Sequence, residues 1–172
     1  MTELPEIGIT WAGRTREGPL PVLEVVGALR AESAGRELLQ AFDARGVAGP
    51  RAVRSAYLHM RRAMTGRRIR LRDPGAVMAL YLAGTDQLER ALGRVGLQPD
   101  TARAVIVSVP AAPVRELMAR MSFAPIEEPP AGVPSLETLQ RIGVPEDLIR
   151  STPPERWEML VLEHIAAVDL PH

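Results

Sequence analysis

The chain contains no cysteine, no lysine, three histidines and only 3% aromatic residues in 172 positions. Without cysteine there is no disulfide framework, no thiolate zinc site and no thiol nucleophile. His59, His164 and His172 are too few for a histidine metal cluster, so no metal or cofactor is expected. The sparse aromatics, chiefly Trp11, Tyr57, Tyr81, Phe123 and Trp157, argue against a sheet that reads single strands by stacking several bases. No apolar run approaches the roughly 20 residues that a bilayer-spanning helix needs. The first residues, MTELPEIGIT, lack the basic and then apolar pattern of a signal peptide. A soluble, cytoplasmic protein without membrane contact is expected. The nucleotide-binding patterns GxGxxG and GxxxxGK[ST], the zinc-protease HExxH and the hydrolase GxSxG are all missing.

What the chain does have is segregated charge. Its 21 basic residues, all arginine, balance 21 acids. Nine of them (Arg45, Arg51, Arg54, Arg61, Arg62, Arg67, Arg68, Arg70 and Arg72) fall between residues 44 and 72, a stretch with no Asp or Glu. The remaining 143 residues carry 12 arginines against 21 acids. A GC-rich genome gives arginine over lysine without selection, so the clustering carries the argument rather than the residue type. Guanidinium forks match phosphate geometry, and a run of them without carboxylates is an electrostatic footprint for a polyanion. Arg61, Arg62, Arg67, Arg68, Arg70 and Arg72 are the candidate RNA-binding residues.

Periodicity places these residues on elements. Ile7 and Ile9 alternate into Trp11 as a strand, and the β-branched run Val22–Leu29 after Gly18-Pro19 reads as its hairpin partner. Leu38, Leu39 and Phe42 predict a helix over 33–45, capped by Ser33 and stopped at Gly46. Pro50 opens a second helix running to about Thr65, with Val53, Tyr57, Met60 and Met64 as its core stripe and arginines on the side and back. Residues 67–72 alternate as an extended segment, with Arg68, Arg70 and Arg72 on one side and Ile69 and Leu71 on the other. Asp73-Pro74 and Thr85 cap two further helices, ending at Gly84 and Gly96. Ala104–Val109 is a buried strand, Val114, Leu117 and Met121 mark a fifth helix, and residues 124–134 a proline-rich loop with at most a short extended piece. Helical turns over 136–142 and 146–149 precede a last helix after Pro153-Pro154. At this length the expectation is one α+β domain over residues 1–172, a small mixed sheet packed with six or more helices.

No catalytic constellation emerges. Glu127-Glu128 read as solvated, His59 as a surface or half-buried residue of the arginine-rich helix, His164 as a packing residue, and Ser108 has no histidine nearby in sequence.

The segment ALYLAGTDQLERALGRVGL, residues 79–97, resembles the kinase-binding subunit of the archaeal and eukaryotic KEOPS complex, the family of the PRPK-binding protein (TPRKB). Ala83, Gly84, Gln87, Leu88, Ala91, Leu92 and Gly96 carry the likeness. A basic helix before it, a short strand after it and a terminal apolar helix (157–170) containing glutamate follow the same order. Asp86 stands where that family usually has arginine, and the helix before it lacks the family's glutamate. The resemblance implies a non-enzymatic accessory subunit that binds the small kinase/ATPase subunit, meets the other KEOPS subunits indirectly, and helps recruit tRNA through its acceptor end for threonylcarbamoyladenosine modification. It leaves the kinase-binding residues unknown. Two other readings stand beside it: a protein–protein adaptor of the same fold that has lost tRNA binding, and an enzyme whose residues are scattered along the chain.

Overall fold

The structure, a computed structural model, describes residues 3–128 and 133–169. In chain order its elements are β1 (Gly8–Arg14), α1 (Val22–Glu32), β2 (Leu38–Asp43), α2 (Pro50–Thr65), α3 (Pro74–Ala83), α4 (Leu88–Val95), β3 (Arg103–Val109), α5 (Arg115–Arg120), β4 (Phe123–Pro125), α6 (Leu136–Arg141), α7 (Glu146–Ser151) and α8 (Trp157–Ala166). Short 3-10 turns lie at Ala44–Gly46, Pro154–Arg156 and Ala167–Asp169. The fold class is α+β, as the sequence pattern indicates. The described residues fall into two compact units, one of 3–44 with 97–128 and the other of 45–96 with 133–169.

The first unit holds a four-stranded sheet in the order β2-β3-β1-β4. Every pairing is antiparallel, where a mixed sheet is expected from the sequence. β3 lies between β1 and β2, with Ile106 opposite Thr10 on one side and Ala41 on the other. The two-residue period of strands sends Ala12, Leu39, Ala41, Ala104, Ile106 and Phe123 to one face, where they bury with Val25 and Leu29 of α1 and Leu117 and Met118 of α5. Below β3, the Thr101 hydroxyl donates to the buried Asp43 carboxylate at 2.6 Å and accepts from the Gln98 amide at 2.8 Å, fixing the turn that enters the strand.

Two expectations in this unit are overturned. Val22–Leu29 is helix rather than strand, because its buried residues, Val25 and Leu29, are four apart while Leu23 is 88% exposed, a helical and not an alternating pattern. Residues 38–43 are strand rather than helix. Leu38, Leu39, Ala41 and Phe42 are all buried, and Gly35 turns the chain at φ +75° just ahead of them, leaving a run too short for a helix. The proline-rich stretch contributes the short strand β4, continuing to exposed Glu127 and Glu128; residues 129–132 of the expected loop lie outside the described residues.

The second unit is helical, and its boundaries follow local signals. Pro50 occupies the first turn of α2, whose buried stripe is Ala52, Val53, Ala56, Tyr57, Met60 and Ala63. The Asp73 side chain accepts from the Ala76 amide at 2.8 Å and caps α3, which is buried over nearly its whole length. α3 ends at Gly84, whose φ of +62° suits glycine and whose missing Cβ leaves room for the His164 ring. Among the described residues no helix is long and apolar enough to cross a membrane.

Candidate polyanion-binding surface

α2 and the segment after it carry the candidate arginines. Packing of the apolar stripe inward leaves Arg51, Arg54 and Arg62 exposed and Arg61 half-buried. Arg51 pairs with Glu158 of α8 at 3.3 Å, so part of this charge is already balanced.

The end of α2 sets the geometry. The Arg68 amide donates to the Ala63 carbonyl at 3.0 Å and the Arg67 amide to the Met64 carbonyl at 3.3 Å, the paired bonds of a Schellman closure. The residue that donates the inner of these two bonds adopts a left-handed conformation, and here it is Arg67, at φ +50°. α3 closes with the equivalent bonds, Thr85 amide to Leu80 carbonyl and Gly84 amide to Tyr81 carbonyl, both 3.1 Å, with glycine in the left-handed position. Two successive helices thus share one ending, and only the second uses the residue that adopts it without strain. A left-handed arginine costs on the order of 1 kcal/mol relative to glycine.

That turn throws the chain into an irregular segment, not a strand. Exposure nevertheless alternates as expected: Arg68, Arg70 and Arg72 are exposed, Ile69 and Leu71 half-buried. An open surface groove of about 670 Å³ is lined by Met64, Arg67, Ile69, Arg70, Leu71 and Arg72. Three arginines and three apolar residues therefore line one concavity. Of the six candidates, the structure brings together Arg67, Arg70 and Arg72; Arg61, Arg62 and Arg68 do not line the groove.

A second cluster, one that sequence reasoning missed, joins α2 and α3 to the 3-10 turn Ala167–Asp169. The Asp169 carboxylate receives the Tyr81 hydroxyl on Oδ1 at 2.6 Å and meets His59 Nδ1 with Oδ2 at 2.5 Å. The His59 and Tyr81 rings stack with centroids 5.4 Å apart. Burial, and then the hydrogen bond to Asp169, pushes the Tyr81 hydroxyl far above its ordinary pKa. Burial also raises the Asp169 carboxyl, but the hydrogen bonds from Tyr81 and His59, with the nearby positive charge of Arg68, bring it below its ordinary value. His59 is thus tied down rather than facing solvent as a free ligand. No local signal announces this: Asp169 lies 88 residues from Tyr81 and 110 from His59.

The remaining candidates are structural. His164 Nε2 donates to the Ile142 carbonyl at 2.8 Å, and burial pushes its pKa below the usual value. Ser108 is 2% exposed and its hydroxyl oxygen accepts from the Ala112 amide at 3.3 Å. Asp86 is exposed at the start of the turn into α4. Among the described residues no group of three or more His, Asp or Glu side chains is arranged to hold a metal ion. Compared with protein-family models and with curated proteins, the chain matches none.

Proposed function

We propose that this chain is a non-catalytic accessory subunit of a KEOPS-type complex, which binds the small kinase/ATPase subunit and presents an arginine-lined groove to tRNA. The observation that carries the tRNA half is Arg67. A charged residue is kept in a left-handed position where glycine is free of strain, and its side chain joins Arg70 and Arg72 around the groove. The kinase half rests on the resemblance of residues 79–97, two of whose matching residues have structural roles here: a Cβ at Gly84 would meet the His164 ring, and Ala91 packs at 0% exposure on the inner face of α4.

Phosphate contacts make affinity fall with salt, by roughly 0.7–0.9 in the log–log slope per contact. Replacing Arg67, Arg70 and Arg72 together by alanine is expected to weaken tRNA binding and flatten the slope by about two to three contacts' worth. Replacing Arg54 and Arg62 serves as the comparison and should change it less. An unchanged slope in the triple variant removes the groove from the reading. Co-purification of the small kinase/ATPase subunit from RNase-treated extract tests the other half.

One observation favours an adaptor without tRNA. Between α7 and α8, Leu148 and Met159 are 44% and 48% exposed and line a second groove of about 250 Å³ with Leu160 and Pro153. Exposed apolar side chains in a concavity suit a protein partner. Retained kinase binding with no tRNA shift at moderate salt would select this second reading.

A further inference from the structure

The groove between α7 and α8 differs from the arginine-lined one in carrying a charge of each sign. Leu148 of α7 with Met159 and Leu160 of α8 give it an apolar lining. Arg156, at the entry to α8, and Glu163 flank Met159 and Leu160 along the helix, two turns and therefore about 10 Å apart on one face. Both charges are exposed, and among the described residues no side-chain hydrogen bond or ion pair engages either of them. Glu158 of the same helix, by contrast, pairs with Arg51 of α2 at 3.3 Å. The charge that α8 turns toward its own unit is balanced, and the two beside the groove are not.

The order of these charges selects the occupant. A partner of one sign is attracted at one end of the groove and repelled at the other. The surface that fits has an apolar pair flanked by the same two charges in reverse order, and α8 itself presents that surface to a second copy lying across it antiparallel. We propose that this groove is where two copies of the chain associate: Arg156 of each copy faces Glu163 of the other, Met159 of each faces Leu160 of the other, and the twofold axis falls between Met159 and Leu160. Every contact is then made twice, as an isologous interface requires. A parallel arrangement would set like charges against each other at both ends. The zero formal net charge of the chain leaves no overall repulsion between copies. Two short helices bury little area, so the association is weak and depends on concentration.

This inference rests on the reading of the groove as a protein-binding surface. Sedimentation equilibrium of the full chain, at concentrations up to about 1 mM, is expected to show a reversible monomer–dimer equilibrium. A chain that stays monomeric throughout overturns the proposal. Arg156→Glu and Glu163→Arg each set like charges together at both ends, and each should weaken dimerisation about tenfold or more. An equal mixture of the two variants restores opposite charges at both ends and should associate as the unmodified chain does. A mixture no tighter than either variant alone overturns the proposal, and so does dimerisation indifferent to both substitutions. Should either variant not fold, Met159→Gln, which leaves the charges in place, is expected to weaken association as well, and no effect overturns the proposal. Recovery of the small kinase/ATPase subunit from RNase-treated extract separates this inference from the reading beneath it. If the unmodified chain is monomeric and Arg156→Glu recovers less of that subunit, the groove binds a different protein and the second-copy proposal falls alone. If the chain is monomeric and recovery is unchanged, both fall.

Discussion

Arg67 and His164 show how single residues carry the balance between stability and charge. Because Arg67 holds a left-handed conformation at φ +50°, Arg67→Gly should stabilise the chain by about 1 kcal/mol, raising the urea midpoint without altering the slope of the transition. Arg67→Ala, which removes the charge but keeps a Cβ, should leave the midpoint nearly unchanged. If both variants behave alike, the turn is not strained. His164 makes a pH prediction. Its folded pKa lies below the ordinary value because the ring is buried, so the unfolded chain takes up a proton first as pH falls. The His164 contribution is therefore fully present above about pH 6.5 and is lost as pH drops toward the folded pKa, at up to about 1.4 kcal/mol per pH unit. Urea midpoints between pH 7.5 and 5 should decline more steeply for the natural chain than for His164→Gln.

At the level of elements, what could be read from the sequence depended on how local the determining signal is. α2 and α3 are legible in the sequence because Pro50, Gly66, Asp73 and Gly84 act within one turn of the boundaries they set. Asp73→Ala should accordingly cost about 1 kcal/mol, read by thermal or urea unfolding, since it removes the acceptor for the Ala76 amide. β3 was legible because six consecutive buried residues ending at Pro110 leave few alternatives. α1 and β2 exchanged identities for a physical reason. Both are short apolar runs, and in such runs the choice is made by which residues find a core, not by propensity: Val25 and Leu29 reach the sheet from a helix, whereas Leu39 and Ala41 are part of it. The candidate groove was half legible. Alternation of arginine with Ile69 and Leu71 foretold the exposure pattern, but not the turn at Arg67 that gathers three arginines and leaves Arg68 out of the groove.

Across the whole molecule, both units are assembled from segments far apart in the chain, with residues 45–96 of the second interposed within the first. The first unit's cohesion depends on β3, to which both β1 and β2 are hydrogen-bonded. A chain ending at residue 102 should therefore lack protease-resistant structure over residues 3–44, whereas one ending at 128 should protect them; limited proteolysis with mass spectrometry separates these outcomes. Protection of residues 3–44 in the shorter chain would mean that β1 and β2 do not need β3.

The central place of β3 also has a consequence in time. On the ribosome β1 and β2 emerge first, yet neither pairs with the other, and their common partner is not complete until Val109 has been added. Over that interval Leu38, Leu39 and Phe42 have no sheet to enter, while the short-range contacts of α2, α3 and α4 are already within reach. Synthesis thus passes through a stage in which unpaired strands accompany a forming helical layer, and chaperone demand for this chain should peak there and fall once β3 is released.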